Sequence, residues 1–289
     1  MRILVTGSNG QLGSDIRALA SDYTDFEFLF TDIEELDITD PFKVEAYCVT
    51  NQPQVIINCA AYTAVDKAES DEDTAYLINA AAVQNLSESA ARIDALVVQI
   101  STDYVFNGMS HIPYTETDKT NPQSVYGKSK LAGENAVRKH AGKAVIIRTS
   151  WLYSTFGNNF VKTIIRYGKE RAELNVVFDQ VGTPTYSRDL ARVILDIIPL
   201  AIKQPGINIY HYSNEGVASW FDFAHTIITQ CGISCEIKPT FTKDLPLHAH
   251  RPCYSVLNKS KIKETFNITI PYWRDSVIDC ILKLEQQTK

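Results

Sequence analysis

Tyr126 and Lys130, in the run Tyr126-Gly127-Lys128-Ser129-Lys130, carry the clearest chemical potential in this chain. Four residues apart on a helix, two side chains share one face, a turn apart. A lysine beside a tyrosine favours the phenolate, so the phenol pKa is expected to fall from about 10. Such a phenol can hand a proton to a carbonyl oxygen near neutral pH. Carbonyl reduction is therefore the first chemistry to consider. Tyr-x-x-x-Lys also arises on ordinary amphipathic helix faces; it gains weight here because the same chain opens with a nucleotide-binding loop. Thr102 closes an apolar run, where its hydroxyl can hydrogen-bond a substrate carbonyl and the oxyanion forming from it. The ordinary alternative is a strand-end threonine that satisfies backbone groups. Lys130 would also reach the nicotinamide ribose.

The opening loop, Thr6-Gly7-Ser8-Asn9-Gly10-Gln11-Leu12-Gly13, places glycines at 7, 10 and 13. Glycines there permit a tight turn, let the backbone approach a pyrophosphate and seat the following helix on the preceding strand. The helix N-terminus then offers free N–H groups to the phosphates. A plain strand-to-helix turn would show the same glycines, but the required strand before and helix after are both present. Asp32 stands about 20 residues beyond the loop, where a carboxylate accepts from the adenosine ribose hydroxyls. Taken alone it favours NADH over NADPH; a solvated turn carboxylate is the other reading. Asp37 and Ile38 could line the adenine pocket. Ala60, Ala61 and Tyr62 follow a third apolar run, and the small residues there let a cofactor lie against the backbone.

These residues need a scaffold. Arg2–Thr6, Phe26–Phe30, Val55–Ile57, Ala95–Ile100 and Ala144–Ile147 read as short buried strands. Helices are expected over Gln11–Ala20, Pro41–Val49, Glu72–Arg92 and Ser124–His140. Continuous apolar strands alternating with helices predict an α/β fold, a Rossmann-type doubly wound parallel sheet that binds ligands outside the carboxyl ends of its strands. Residues 1–150 form the expected dinucleotide-binding domain, and segments of about 174–213, with strands at Leu174–Phe178 and Ile207–His211, are expected to return to it. Residues 214–289, with 151–173, form a smaller C-terminal substrate-binding region.

The chain has 289 residues, 45% of them apolar, enough for a sizeable core. With 28 basic and 34 acidic residues its net charge is −6, which favours neither nucleic acid nor an anionic membrane as partner. No run approaches the roughly 20 apolar residues of a membrane helix, and the first apolar run is too short for a signal peptide. The six cysteines form no Cys-x-x-Cys pair. Reduced thiols in a cytoplasmic protein, with no zinc site, are expected.

Longer motifs go further. They are Glu35-Leu36-Asp37-Ile38-Thr39, Asn58 through Glu69, Ser101-Thr102-Asp103-Tyr104-Val105-Phe106, Arg148-Thr149-Ser150-Trp151, Asp179-Gln180-x-Gly182-x-Pro184-Thr185 and Arg251-Pro252. Together with the loop and Tyr126/Lys130 they make the chain resemble, nearly end to end, the nucleotide-sugar reductases in the extended branch of the short-chain dehydrogenase/reductase family. The resemblance implies reduction of the C4 ketone of dTDP-4-dehydro-L-rhamnose to dTDP-L-rhamnose by NADPH or NADH, with Thr102, Tyr126 and Lys130 as the catalytic triad. It implies that Gly10, Gln11, Leu12, Asp37, Ile38, Ala60, Ala61 and Tyr62 hold the cofactor. Thr102, Asp103 and Tyr104 would border the sugar, with Trp151 near it and Arg251 on the diphosphate, although core and surface roles suit those last two equally. Some relatives form dimers bridged by magnesium (Mg2+). Asp15 stands where such a ligand lies, but an aspartate is short and partner carboxylates are not evident, so no metal site is assigned and a homodimer stays open. Two other readings also stay open: an epimerase or dehydratase of the same family, weakened because no glutamate follows Asp103, and a non-catalytic NADP-binding regulatory subunit of methionine adenosyltransferase.

Overall fold

The computed structural model describes residues 1–246 and 248–288. In chain order its first half runs β1 (Arg2–Thr6), α1 (Gln11–Leu19), β2 (Glu27–Thr31), α2 (Pro41–Asn51), β3 (Val55–Asn58), α3 (Val65–Ala68), α4 (Glu72–Tyr76), α5 (Ala82–Arg92), β4 (Leu96–Thr102), α6 (Val125–His140) and β5 (Lys143–Thr149). The rest comprises β6 (Leu152–Tyr153), α7 (Phe160–Glu170), β7 (Glu173–Val177), β8 (Val181–Gly182), β9 (Thr185–Tyr186), α8 (Ser187–Ala201), β10 (Gly206–His211), β11 (Ala218–Ser219), α9 (Trp220–Gln230), β12 (Glu236–Thr240), α10 (Ser260–Phe266) and α11 (Trp273–Thr288).

Six strands form one sheet in the order β10-β5-β4-β3-β1-β2, and every pairing within it is parallel. Alternate residues along each strand serve opposite faces. Ile3, Val5, Ile57, Val98 and Ile147 pack against α1 and α8. Leu4, Ile56, Val97 and Ile146 pack against α2, α5 and α6. Both faces are therefore dry, which is why these strands read as unbroken apolar runs. The chain winds outward from β1 in one direction to β2 and in the other through β3, β4 and β5. The reversal between β1 and β3 opens a crevice at the carboxyl ends of the strands. The Rossmann-type α/β architecture expected from the sequence is the one observed.

Two local features differ from the sequence pattern. The helix expected over Glu72–Arg92 is interrupted by a π-helical turn at Leu77–Ala81, and a short helix α3 precedes it. Leu174–Val177 is a strand, but β7 pairs with β12 in a separate two-stranded sheet, while α8 and β10 join the large one. Period and propensity place a strand without naming its partner. A second core, built from Tyr153, Val161, Ile164, Leu174, Phe223, Ile227 and Trp273, holds α7, α9, α11 and the small sheet together. Among the described residues no helix is long and apolar enough to cross a membrane.

Candidate active site

The crevice between β1 and β3 is made by close backbone contact. Gly7 has φ +63°, and a Cβ there would lie 2.5 Å from the Ala60 nitrogen. Any other residue would combine backbone strain with a collision. Gly10 precedes α1 as its N-cap and supplies no side-chain cap, so the early N–H groups of the helix remain open to an anion. A cavity of about 350 Å3 follows, lined by Gly7, Gly10, Asp32, Asp37, Ile38 and Ala60. It shares Gly10, Cys59, Ala60 and Ala61 with a second cavity of about 480 Å3. Gln11, Leu12, Thr102, Tyr126, Lys130 and Arg251 border that second space. The glycine cradle, the uncapped helix and the adjoining cavities fit an extended dinucleotide, its adenosine end toward Asp32 and its nicotinamide end toward Tyr126.

Gly13 and Tyr62 line neither cavity. The Tyr62 backbone exchanges hydrogen bonds with Asn79, donating to its Oδ1 at 2.9 Å and accepting from its Nδ2 at 3.0 Å, while the phenol donates to Asp71. The Asp32 carboxylate already accepts from the amides of Asn9 and Ile33, both at 2.9 Å. It therefore holds the glycine loop closed and has only its remaining lone pairs for a ribose. Asp37 is held below the usual carboxylate range by the Thr39 hydroxyl and amide.

Ser124 caps α6 by accepting from the Gly127 amide. A Cβ on Gly127 would sit 2.4 Å from the Tyr104 carbonyl oxygen, so the glycine lets α6 rest on the turn after β4. Tyr126 meets Tyr104 edge to face, ring centroids 5.4 Å apart. The expected electrostatics of the Tyr126/Lys130 pair need correction. Burial, with Asp103 and Tyr104 nearby, pushes the Tyr126 phenol well above its ordinary value, and the Thr102 hydroxyl only partly opposes this. Lys130 donates to the Ile100 carbonyl at 2.7 Å, and burial draws its ammonium down to about 8, opposed by Glu134 and Cys59. Removal from water is the largest influence on both groups. Thr102 donates to Asp103 Oδ1 at 2.9 Å and accepts from the Tyr104 amide. Burial raises the Asp103 carboxyl to about 6, and its Oδ2 is buried without a partner.

Trp151 adopts φ +48°, a strained conformation for a bulky side chain. It stacks on Trp220, ring centroids 3.7 Å apart, and the two indoles wall the second cavity. Arg251 pairs with Asp66 at 2.5 Å and donates to the Tyr104 hydroxyl at 3.4 Å, reaching across the cleft. Asp15 is buried, its Oδ2 accepting from Ser154 at 2.6 Å, so it joins α1 to the loop after β6 instead of facing outward. Among the described residues no group of three or more His, Cys, Asp or Glu is arranged to hold a metal. Trp220, Asn79 and Glu134 were not foreseen. Glu134 had a signal, its place one turn beyond Lys130; Trp220 had none, because only the packing of the second core brings it to Trp151.

A doubly wound sheet whose dinucleotide crevice opens onto a threonine, a tyrosine and a lysine defines an oxidoreductase site of the short-chain dehydrogenase/reductase kind. The family can be stated more closely: the chain belongs to the family described as RmlD substrate binding domain, whose model matches residues 1–286. It is 41% identical to the dTDP-4-dehydrorhamnose reductase of Aggregatibacter actinomycetemcomitans over 281 residues, covering 94% of this chain and 96% of that one. The crystal structure of a dTDP-4-dehydrorhamnose reductase from Clostridium acetobutylicum superposes with TM-score 0.94 at 45% identity, covering 99% of this chain and 100% of that one. The dTDP-4-dehydrorhamnose reductase of Bacillus anthracis, solved in complex with NADP, gives TM-score 0.93 at 38% identity, with 98% and 99% covered.

Proposed function

We propose that this chain is an NAD(P)H-dependent oxidoreductase that reduces the C4 ketone of dTDP-4-dehydro-L-rhamnose to dTDP-L-rhamnose, a step of nucleotide-sugar supply for polysaccharide. The observation that carries the reading is the convergence of Thr102, Tyr126 and Lys130 on one cavity continuous with the glycine-loop crevice. The names and coverage of the relatives support the substrate. Bound NAD(P)H supplies the hydride to C4. Tyr126 gives its phenolic proton to O4 as negative charge grows there; its raised pKa keeps that proton in place at neutral pH. Lys130, buried one turn away, balances charge on the phenol oxygen in the transition state and orients the nicotinamide ribose. Thr102 holds the ketone oxygen. Gly7, Gly10, Gln11, Leu12, Asp37, Ile38, Ala60 and Ala61 cradle the dinucleotide, and Asp32 faces its adenosine ribose. Trp151 flanks the sugar, and Arg251 turns from Asp66 to the diphosphate, whose paired oxygens suit a guanidinium fork.

The test is direct. Purified chain with dTDP-4-dehydro-L-rhamnose is expected to consume reduced nicotinamide, followed by its absorbance, and to release dTDP-L-rhamnose. A tight complex with the dinucleotide and no turnover would instead favour a regulatory subunit and overturn the enzyme reading.

A further inference from the structure

Behind the catalytic wall lies a buried ion cluster that the reaction as drawn does not use. The side chains of Glu134 and Arg148 are 0% and 1% exposed. Glu134 Oε1 accepts from Ser101 Oγ at 2.6 Å and from Arg148 Nε at 2.8 Å. Its Oε2 accepts from Arg148 Nη2 and Arg138 Nη2, each at 2.8 Å. Burial alone would raise this carboxyl, but the Arg148 fork and the Ser101 hydroxyl hold it below the usual range. Arg148 also lies 5.1 Å above the Phe106 ring and 3.5 Å from His211 Nε2. A buried pair of this kind is weak as a source of stability, since apolar residues of similar volume often do as well. What it does well is impose one geometry.

The elements it joins are those that carry the reacting groups. Ser101 precedes Thr102 on β4, Glu134 follows Tyr126 and Lys130 on α6, and Arg148 lies near the end of β5 ahead of Trp151. Lys130 reaches β4 again through Ile100. We propose that Glu134 is a positioning residue that fixes the rotation of α6 about its axis, so that Tyr126 and Lys130 face Thr102. Its charge has a second effect. The groups acting on Lys130 are Glu134 on α6 and the Cys59 thiol after β3; the Ile100 carbonyl of β4 accepts from it, Tyr126 and Asp103 line the same cavity, and Arg148 of β5 pairs with Glu134. Of these, Glu134 opposes most strongly the burial that discharges the lysine.

This inference rests on the reductase reading, and the parent chain is the control: no turnover there sinks that reading, not this one. In Glu134→Gln the carboxylate charge is lost and Arg148 is left unpaired. The expected result is a fall in kcat of about ten-fold or more, little change in dinucleotide affinity, and an alkaline limb of the kcat profile moved about half a unit or more toward lower pH. Should that variant fail to fold, Glu134→Leu with Arg148→Met removes the pair as a unit and carries the same expectation at restored thermal stability. Turnover within about two-fold of the parent in a folded variant, or a loss of turnover with an unmoved alkaline limb, overturns the proposal.

Discussion

A phenol that keeps its proton in the resting site is an acid waiting for a base, and for Tyr126 the base we propose is the oxygen of the ketone under reduction. Replacing Tyr126 with Phe removes the proton and leaves the ring. The expected outcome is a loss of kcat of about 10²- to 10⁴-fold, with dinucleotide affinity by fluorescence titration nearly unchanged. Parental turnover in that variant would show the donor to be misassigned. Thr102 adds a proton-dependent feature. A hydroxyl has one hydrogen, and the hydrogen of Thr102 is committed to Asp103. While Asp103 is ionised that hydrogen bond competes with donation to substrate. As pH falls through about 6 the Asp103 carboxyl takes up a proton and frees it. The kcat/KM profile is therefore expected to rise as pH falls through that region, and to lose this limb in Asp103→Asn, whose amide can donate to Thr102 at any pH. A limb that survives the substitution would belong to another group.

At the level of elements, the site depends on turns that bring backbones close. Gly7→Ala puts a methyl group against the backbone of Ala60 at a positive φ. Dinucleotide binding is expected to weaken by about ten-fold or more, measured by calorimetry, with the strand order intact. The π-helical turn at Leu77–Ala81 aims Asn79 at the backbone of Tyr62 and at Ser129 on α6, the latter at 3.0 Å. Asn79→Ala removes the partners of the half-buried Tyr62 amide and carbonyl, a cost of about 1–3 kcal/mol in urea unfolding. A loss below about 0.5 kcal/mol would mean that water or a neighbour replaces the amide. The strands and most helices were legible because a doubly covered sheet requires apolar runs with helices between them. The π turn was not, because one extra residue in a helical turn hardly disturbs a 3.6-residue pattern.

For the whole molecule, residues packed on both cores line the second cavity, and Arg251, from the C-terminal side, pairs with Asp66 on α3. Arg251→Ala is expected to raise the KM for the nucleotide sugar about ten-fold or more with a smaller effect on kcat, because the proposed role of the arginine is to hold the diphosphate. A second global property follows from His211, fully buried behind the site and drawn down to about 3 by burial and by Arg148. Its folded pKa lies below its ordinary value of 6.5, so the unfolded chain binds the extra proton. Its contribution to stability is complete above about pH 6.5 and is lost progressively as pH falls toward 3. Urea midpoints should drop across that window in the parent, and less steeply in His211→Gln.

The sequence by itself determined the parallel sheet, its glycine crevice, the place of Thr102 at a strand end and that of Tyr126 and Lys130 on one helix, because these rest on periodicity and on spacings within single elements. Only the tertiary structure decided that the phenol is raised instead of lowered, that Leu174–Val177 leaves the large sheet, that Trp220 completes the indole wall and that Glu134 ties three elements together. Each of these depends on which distant residues exclude water from a group or complete its hydrogen bonds, and that is settled by packing across the fold.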